Sequence, residues 1–81
     1  MRVDKFLKVS RVIKRRTVAN EACDVGRIVA NGKVVKASYQ VKIGDILEVA
    51  FGDRTVKIEV LSLPEHVGKA EASSMYREIL S

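Results

Sequence analysis

Arg2, Lys5, Lys8, Arg11, Lys14, Arg15 and Arg16 crowd the first sixteen residues, and Asp4 is the only acid among them. That stretch carries a net charge of +6, whereas residues 17–81 set eight bases against nine acids. The +5 of the whole chain therefore resides in its opening fifth. Ammonium and guanidinium groups gathered in this way match a phosphate backbone, because each neutralised phosphate releases condensed counterions. A charge run is more often a solvated helix face, but segregation and imbalance together favour a nucleic acid here. Asp4 would repel such a ligand unless it orients a neighbouring base, so it is expected to hold Arg16 or Lys8.

Other chemistries find little support. His66 is the one histidine and follows Pro64 and Glu65, which suits a surface loop better than a general base. Cys23 falls among apolar residues at helical spacing, so a buried inert thiol is expected rather than a nucleophile. One Cys and one His supply no metal-ligand cluster. All five glycines sit at turn or cap positions rather than in a phosphate-binding loop. The expectation is a protein that is not an enzyme and carries neither cofactor nor metal. Tyr39 is expected to pack the loop after the first hairpin, and Tyr76 to dock a last helix. With four aromatics in all, base stacking is not expected to be the main mode.

The elements that must position the basic residues follow from periodicity. Val3, Phe6, Leu7 and Ser10 recur at i, i+3, i+4 and i+7, one face of a helix, with Arg2, Lys5, Lys8 and then Arg11 on an adjacent strip. A second helix is expected from Arg15 or Arg16 to Val25, its apolar side formed by Val18, Ala19, Ala22 and Cys23 and its end set by Gly26. Asn31-Gly32 then marks a tight hairpin, since a type I′ turn needs positive φ at both positions. Turns at Gly44-Asp45 and Gly52-Asp53 frame further strands, with Val56, Ile58 and Val60 alternating against Lys57, Glu59 and Leu61. Pro64 is expected to end the sheet, and Ala72, Met75, Tyr76, Ile79 and Leu80 lie at helical spacing. The fold class is α+β: two N-terminal helices on a small, mostly antiparallel sheet, with a C-terminal helix. Eighty-one residues make one domain with a thin core. A lone cysteine forms no internal disulfide, and no apolar run reaches the roughly 20 residues of a membrane span. A cytoplasmic monomer is expected.

Two short helices joined by a basic turn also fit a helix-turn-helix loosely. After Arg16, however, the second helix offers only Thr17, Asn20, Glu21 and Asp24 for base reading, two of them acidic. Recognition of RNA by shape and backbone suits the chain better.

The run from Arg2 to Leu47 resembles the S4 RNA-binding domain family, through "RVDKFL", "RRTVANEACDVGRIVANGKVVK" and "SYQVKIGD". Arg2, Asp4, Arg16, Gly26, Asn31, Gly32, Gly44 and Asp45 match the family pattern. Arg15 departs from it, standing where a small helix-capping hydroxyl is common. The resemblance implies an S4-type domain over residues 1–64, with its two helices forming the RNA-binding αL motif, followed by a helical tail at 65–81. "FGDRTVKIEV" and "EASSMYREIL" look most like the stand-alone ribosome-quality-control members; the fifteen-kilodalton heat-shock protein is a more distant relative. Such factors bind large ribosomal subunits blocked by peptidyl-tRNA, contact ribosomal RNA and tRNA together, and help a partner, RqcH, add untemplated alanines. On this chain the resemblance implies that Arg2, Lys5, Arg15 and Arg16 meet phosphates while Asp4 orients them. Lys8, Arg11 and Lys14 join the RNA-binding set on charge alone. The alternatives are a general ribosome-assembly or ribosomal-RNA-binding S4 protein and, less favoured, a DNA-binding regulator.

Overall fold

The computed structural model describes residues 1–64, 68–72 and 74–79. Helix α1 (Val3–Val9) buries Val3, Phe6 and Leu7 completely, and Ser10 is sealed at its end. The expected apolar face is therefore the one that packs inward. The helix stops earlier than the basic strip suggested. Arg11 stands at φ +66°, in the left-handed region, and its N–H closes the helix onto the Lys8 carbonyl at 3.0 Å. Glycine is the usual residue there, and a side chain costs roughly 1 kcal/mol.

Helix α2 (Arg16–Asp24) begins after Arg15, whose extended backbone carries no side-chain capping hydrogen bond. It ends in a Schellman turn: Gly26, at φ +78°, donates to Cys23 O at 3.1 Å, and Arg27 donates to Ala22 O at 2.9 Å. Ala19 and Cys23 are buried, but Val18 is 47% exposed, so the inward side is narrower than the sequence pattern suggests.

The sheet comprises β1 (Ile28–Ala30), β2 (Lys33–Val34), β3 (Ile46–Phe51), β4 (Arg54–Val60) and β5 (Tyr76–Glu78). Their order is β2-β1-β3-β4-β5, with every neighbouring pair antiparallel. Asn31 and Gly32 sit at φ +52° and +85°, and Ala30 pairs with Lys33, as a two-residue hairpin of primed type requires. Ala30, Leu47 and Ile58 lie in one cross-strand row, and Ile28, Val49 and Val56 in another. Strand alternation turns both rows toward α1 and α2 and sends Glu48 and Lys57 to the opposite face. Full burial of each Phe, Leu or Ile in this layer contributes about 1.5–3 kcal/mol.

The C-terminal helix is corrected. Among the described residues after Pro64 only Lys69–Ala72 is helical (α3), and Tyr76–Glu78 forms β5 instead. The sheet therefore resumes beyond Pro64. Ser74 turns the chain out of α3 by bonding the Glu71 carbonyl through both its N–H (3.1 Å) and its hydroxyl (2.9 Å). Met75 then inserts fully into the core, its carbonyl accepts from Leu61 N–H, and Ile79 N–H reaches Lys57 O. The free edge of β4 offers backbone partners that a helix would leave unmade. Glu65, His66 and Leu80 lie outside the described residues.

Candidate nucleic-acid interface

Three separate segments converge on one carboxylate. Loop residues 39–41 hold the start of α1: Val3 N–H donates to Tyr39 O at 2.8 Å, Val41 N–H donates to Met1 O at 2.9 Å, and Arg2 bridges Gln40 across the pair. Arg2 is thereby fixed in extended conformation just before α1, and Asp4 follows in the first turn. Arg16 arrives as the first residue of α2, with Asn20 one turn beyond it on the same side.

Asp4 is only 2% exposed and accepts from all of them. Arg2 Nε reaches Oδ1 at 3.2 Å and its Nη2 reaches Oδ2 at 3.4 Å. The Lys5 backbone N–H donates to Oδ1 at 2.8 Å. Arg16 Nε and Asn20 Nδ2 both meet Oδ2 at 3.4 Å. Burial is the largest influence on this carboxyl and pushes it up; the Asn20 amide, the Lys5 N–H and the Arg16 guanidinium outweigh it, so Asp4 titrates below its ordinary value and stays ionised at neutral pH. The two arginine side chains are held from within yet remain 45% and 49% exposed. Arg16 meets Asp4 through Nε alone, so its terminal nitrogens are not engaged by this carboxylate and keep the planar arrangement that suits phosphate oxygens.

The expected partnership of Asp4 with Arg16 is present, but Lys8 does not join it. Lys8, Arg11 and Lys14 gather instead around a neighbouring hollow of about 420 Å³ with Val9 and Gly68. Lys5 gives Asp4 its backbone N–H alone, and the Lys5 and Arg15 side chains are exposed. Asn20 is the member that the sequence reading passed over. Its position four residues after Arg16 was the available signal, since that spacing shares a helix face.

A second buried acid braces the loop that holds Arg2. Asp45 accepts from Asn31 Nδ2 at 3.0 Å, from the Tyr39 hydroxyl at 2.7 Å and from Lys42 N–H at 2.9 Å. Asn31 in turn accepts from Ile46 N–H at 2.9 Å. Burial pushes the Asp45 carboxyl up, but these donors, led by the Lys42 N–H, hold it below its ordinary value. Donation to Asp45 is also the main reason the Tyr39 hydroxyl is pushed up. Tyr39 thus packs its loop as expected and ties it to the β1–β2 turn as well. Cys23 is buried, and desolvation, with Asp4 and Asp24 adding to it, raises its thiol to about 11. It stays neutral at physiological pH, as an inert core residue should.

The segment that carries both clusters is shared with known proteins. The S4 domain family matches residues 1–47, the span that contains both helices, the Asn31-Gly32 turn and Asp45. A Halalkalibacterium halodurans protein named RQC P-site tRNA stabilizing factor is 55% identical over 76 residues, covering 94% of this chain and 86% of its own. Its Streptococcus pneumoniae namesake is 48% identical over 81 residues, covering 100% and 91%. In three dimensions, the heat shock protein 15 of Vibrio cholerae, described as trimeric, superposes with a TM-score of 0.87 at 30% identity, covering 98% of this chain and 81% of that one. The chain belongs to the S4 domain family and, within it, to the group of the RQC P-site tRNA stabilizing factors.

Proposed function

We propose that this protein is a non-catalytic RNA-binding factor of ribosome-associated quality control. It binds large ribosomal subunits blocked by peptidyl-tRNA, touches ribosomal RNA and tRNA together, and supports RqcH-dependent alanine tailing of the stalled chain. It acts in the cytoplasm as a monomer. The observation that carries this reading is the pair of half-exposed arginine side chains, Arg2 and Arg16, held by one buried carboxylate. The relatives' shared name supplies the P-site tRNA as the ligand's setting.

The role needs positioning and charge rather than a reactive group. Arg2 and Arg16 offer paired donors to phosphate oxygens, and Asp4 fixes their planes before the RNA arrives, which reduces the entropy lost on binding. Lys5 and Arg15 extend the positive surface on either side, while Lys8, Arg11 and Lys14 extend it along the neighbouring hollow. Contacts of this kind follow the path of a folded backbone more than its sequence.

Sedimentation of tagged protein from stressed cells through a gradient tests the proposal. Wild type should travel with large subunits that carry peptidyl-tRNA, and Arg16→Ala should remain near the top. Wild type at the top would exclude the ribosomal role, and equal binding to empty subunits would favour a general ribosomal-RNA binder.

A further inference from the structure

The hollow beside Lys8 and Lys14 is not the end of the basic surface. Arg11 also lines an adjoining cleft of about 520 Å³, together with Val12, Phe51, Arg54, Val56, Tyr76 and Glu78. That volume falls in the range of roughly 300–1,000 Å³ usual for sites that take a small organic group. Its chemistry is mixed in a particular way. Phe51 and Tyr76 are half-buried, pack against the core and both line the cleft. Arg54 is exposed at the tip of the β3–β4 hairpin, and no ion pair engages Arg11 or Arg54 among the described residues. Glu78 adds one carboxylate at the β5 side.

We infer that this cleft receives a single unstacked nucleobase of the bound RNA, its ring against Phe51 and Tyr76 and its flanking phosphates on Arg11 and Arg54. The inference rests on the RNA-binding reading above and extends it to a second contact on another part of the fold. Four observations favour it. Arg11 belongs to both hollows, so a backbone that follows Lys8 and Lys14 arrives at the cleft directly. Aromatic walls beside guanidiniums are the usual platform for an unpaired base. Glu78 can accept from an exocyclic amino group, which points to a base that carries one, and it would repel an acidic peptide. Arg11 itself is kept at a left-handed position where glycine would fit without strain, an outlier of the kind that marks functional sites.

The test compares two labelled RNA hairpins, alike except for one bulged adenosine, by fluorescence anisotropy with the full chain. Wild type should prefer the bulged hairpin about tenfold, the usual worth of one stacked base. Arg54→Gln and Phe51→Leu, the second keeping an apolar side chain in the core, should each remove most of that preference. Their affinity for the paired hairpin should fall by less than about threefold, as loss of one peripheral contact would give. Absence of a preference in wild type, while Arg16→Ala still weakens both hairpins, would overturn the cleft and leave the RNA reading standing. Retention of the preference by both cleft variants would overturn it equally. Failure of wild type to bind either hairpin would defeat the RNA reading and this inference with it. Capture of an acidic aromatic peptide that Arg54→Gln abolishes, without any preference for the bulge, would assign the cleft to a protein partner instead.

Discussion

Asp4 shows how one side chain can serve both the fold and the site. Its oxygens accept five hydrogen bonds from four residues, so the carboxylate is satisfied although nearly buried. Asp4→Asn would turn an amide donor toward the Arg2, Arg16 or Asn20 donors and should cost about 1–3 kcal/mol in urea unfolding at pH 7. The same substitution should weaken RNA binding, because the two guanidiniums lose their common anchor. The sign of the pH dependence follows from the direction of the shifts. Asp4 and Asp45 both titrate below their ordinary value of 3.8 when folded, so their contribution is complete above that value and disappears as pH falls through the folded ones. Urea midpoints contributed by these groups should therefore be flat from pH 8 to 5 and drop below about pH 4. A midpoint already falling at pH 6 would point to other groups. Arg11 makes a contrasting case, in which the fold bears a local cost. Arg11→Gly relieves the left-handed strain of roughly 1 kcal/mol, partly offset by glycine's extra freedom in the unfolded chain. The variant should melt a few degrees higher yet bind RNA more weakly. Weaker folding would remove the argument from strain. Asp4–Arg16 was legible in the sequence because a basic segment with a single acid invites that pairing. Arg2 entered as a residue oriented by Asp4 through the family resemblance, whereas Asn20 as a co-partner was missed, since the 16 residues from Asp4 to Asn20 are spanned only once α1 and α2 pack.

At the scale of elements, legibility tracked how local the determining interaction is. The inward face of α1, the Gly26 stop of α2 and the Asn31-Gly32 hairpin depend on neighbours within a few residues, and each stands where the pattern placed it. Asp45 read only as a turn residue. Its real partners, Asn31 and Tyr39, come from other parts of the chain and together lock the loop that positions Arg2. The largest departure is β5. Ala72, Met75, Tyr76 and Ile79 fit a helical period, but a short apolar pattern suits a strand equally, and the open edge of β4 decides the outcome. The C-terminal strand is thus part of the sheet and brings Met75 into the core with no exposed surface. Met75→Ala should destabilise the whole domain by about 2–5 kcal/mol in equilibrium unfolding. A loss below about 1 kcal/mol would mean that this segment is only loosely docked.

The whole molecule divides its labour between two sides. A sheet and its apolar rows supply rigidity, and nearly all the excess charge is placed on α1, the turn after it and the start of α2. That segregation was plain in the sequence, because charge is additive along a chain and needs no fold to be counted. The concave surfaces were not, since Arg11 meets Arg54 and Tyr76 only through the packing of the α1–α2 turn beside β3, β4 and β5. A protein built this way should bind RNA with a steep inverse dependence on salt, set by how many phosphates it neutralises. The most direct test of the account is the slope of log affinity against log salt for structured RNA, measured for wild type and Arg16→Ala. The account predicts a strong negative slope for wild type, reduced by about one in Arg16→Ala, with weaker binding across unrelated RNA sequences. An unchanged slope and affinity in the variant would show that Arg16 meets no phosphate and that the Asp4 cluster is a structural clamp alone.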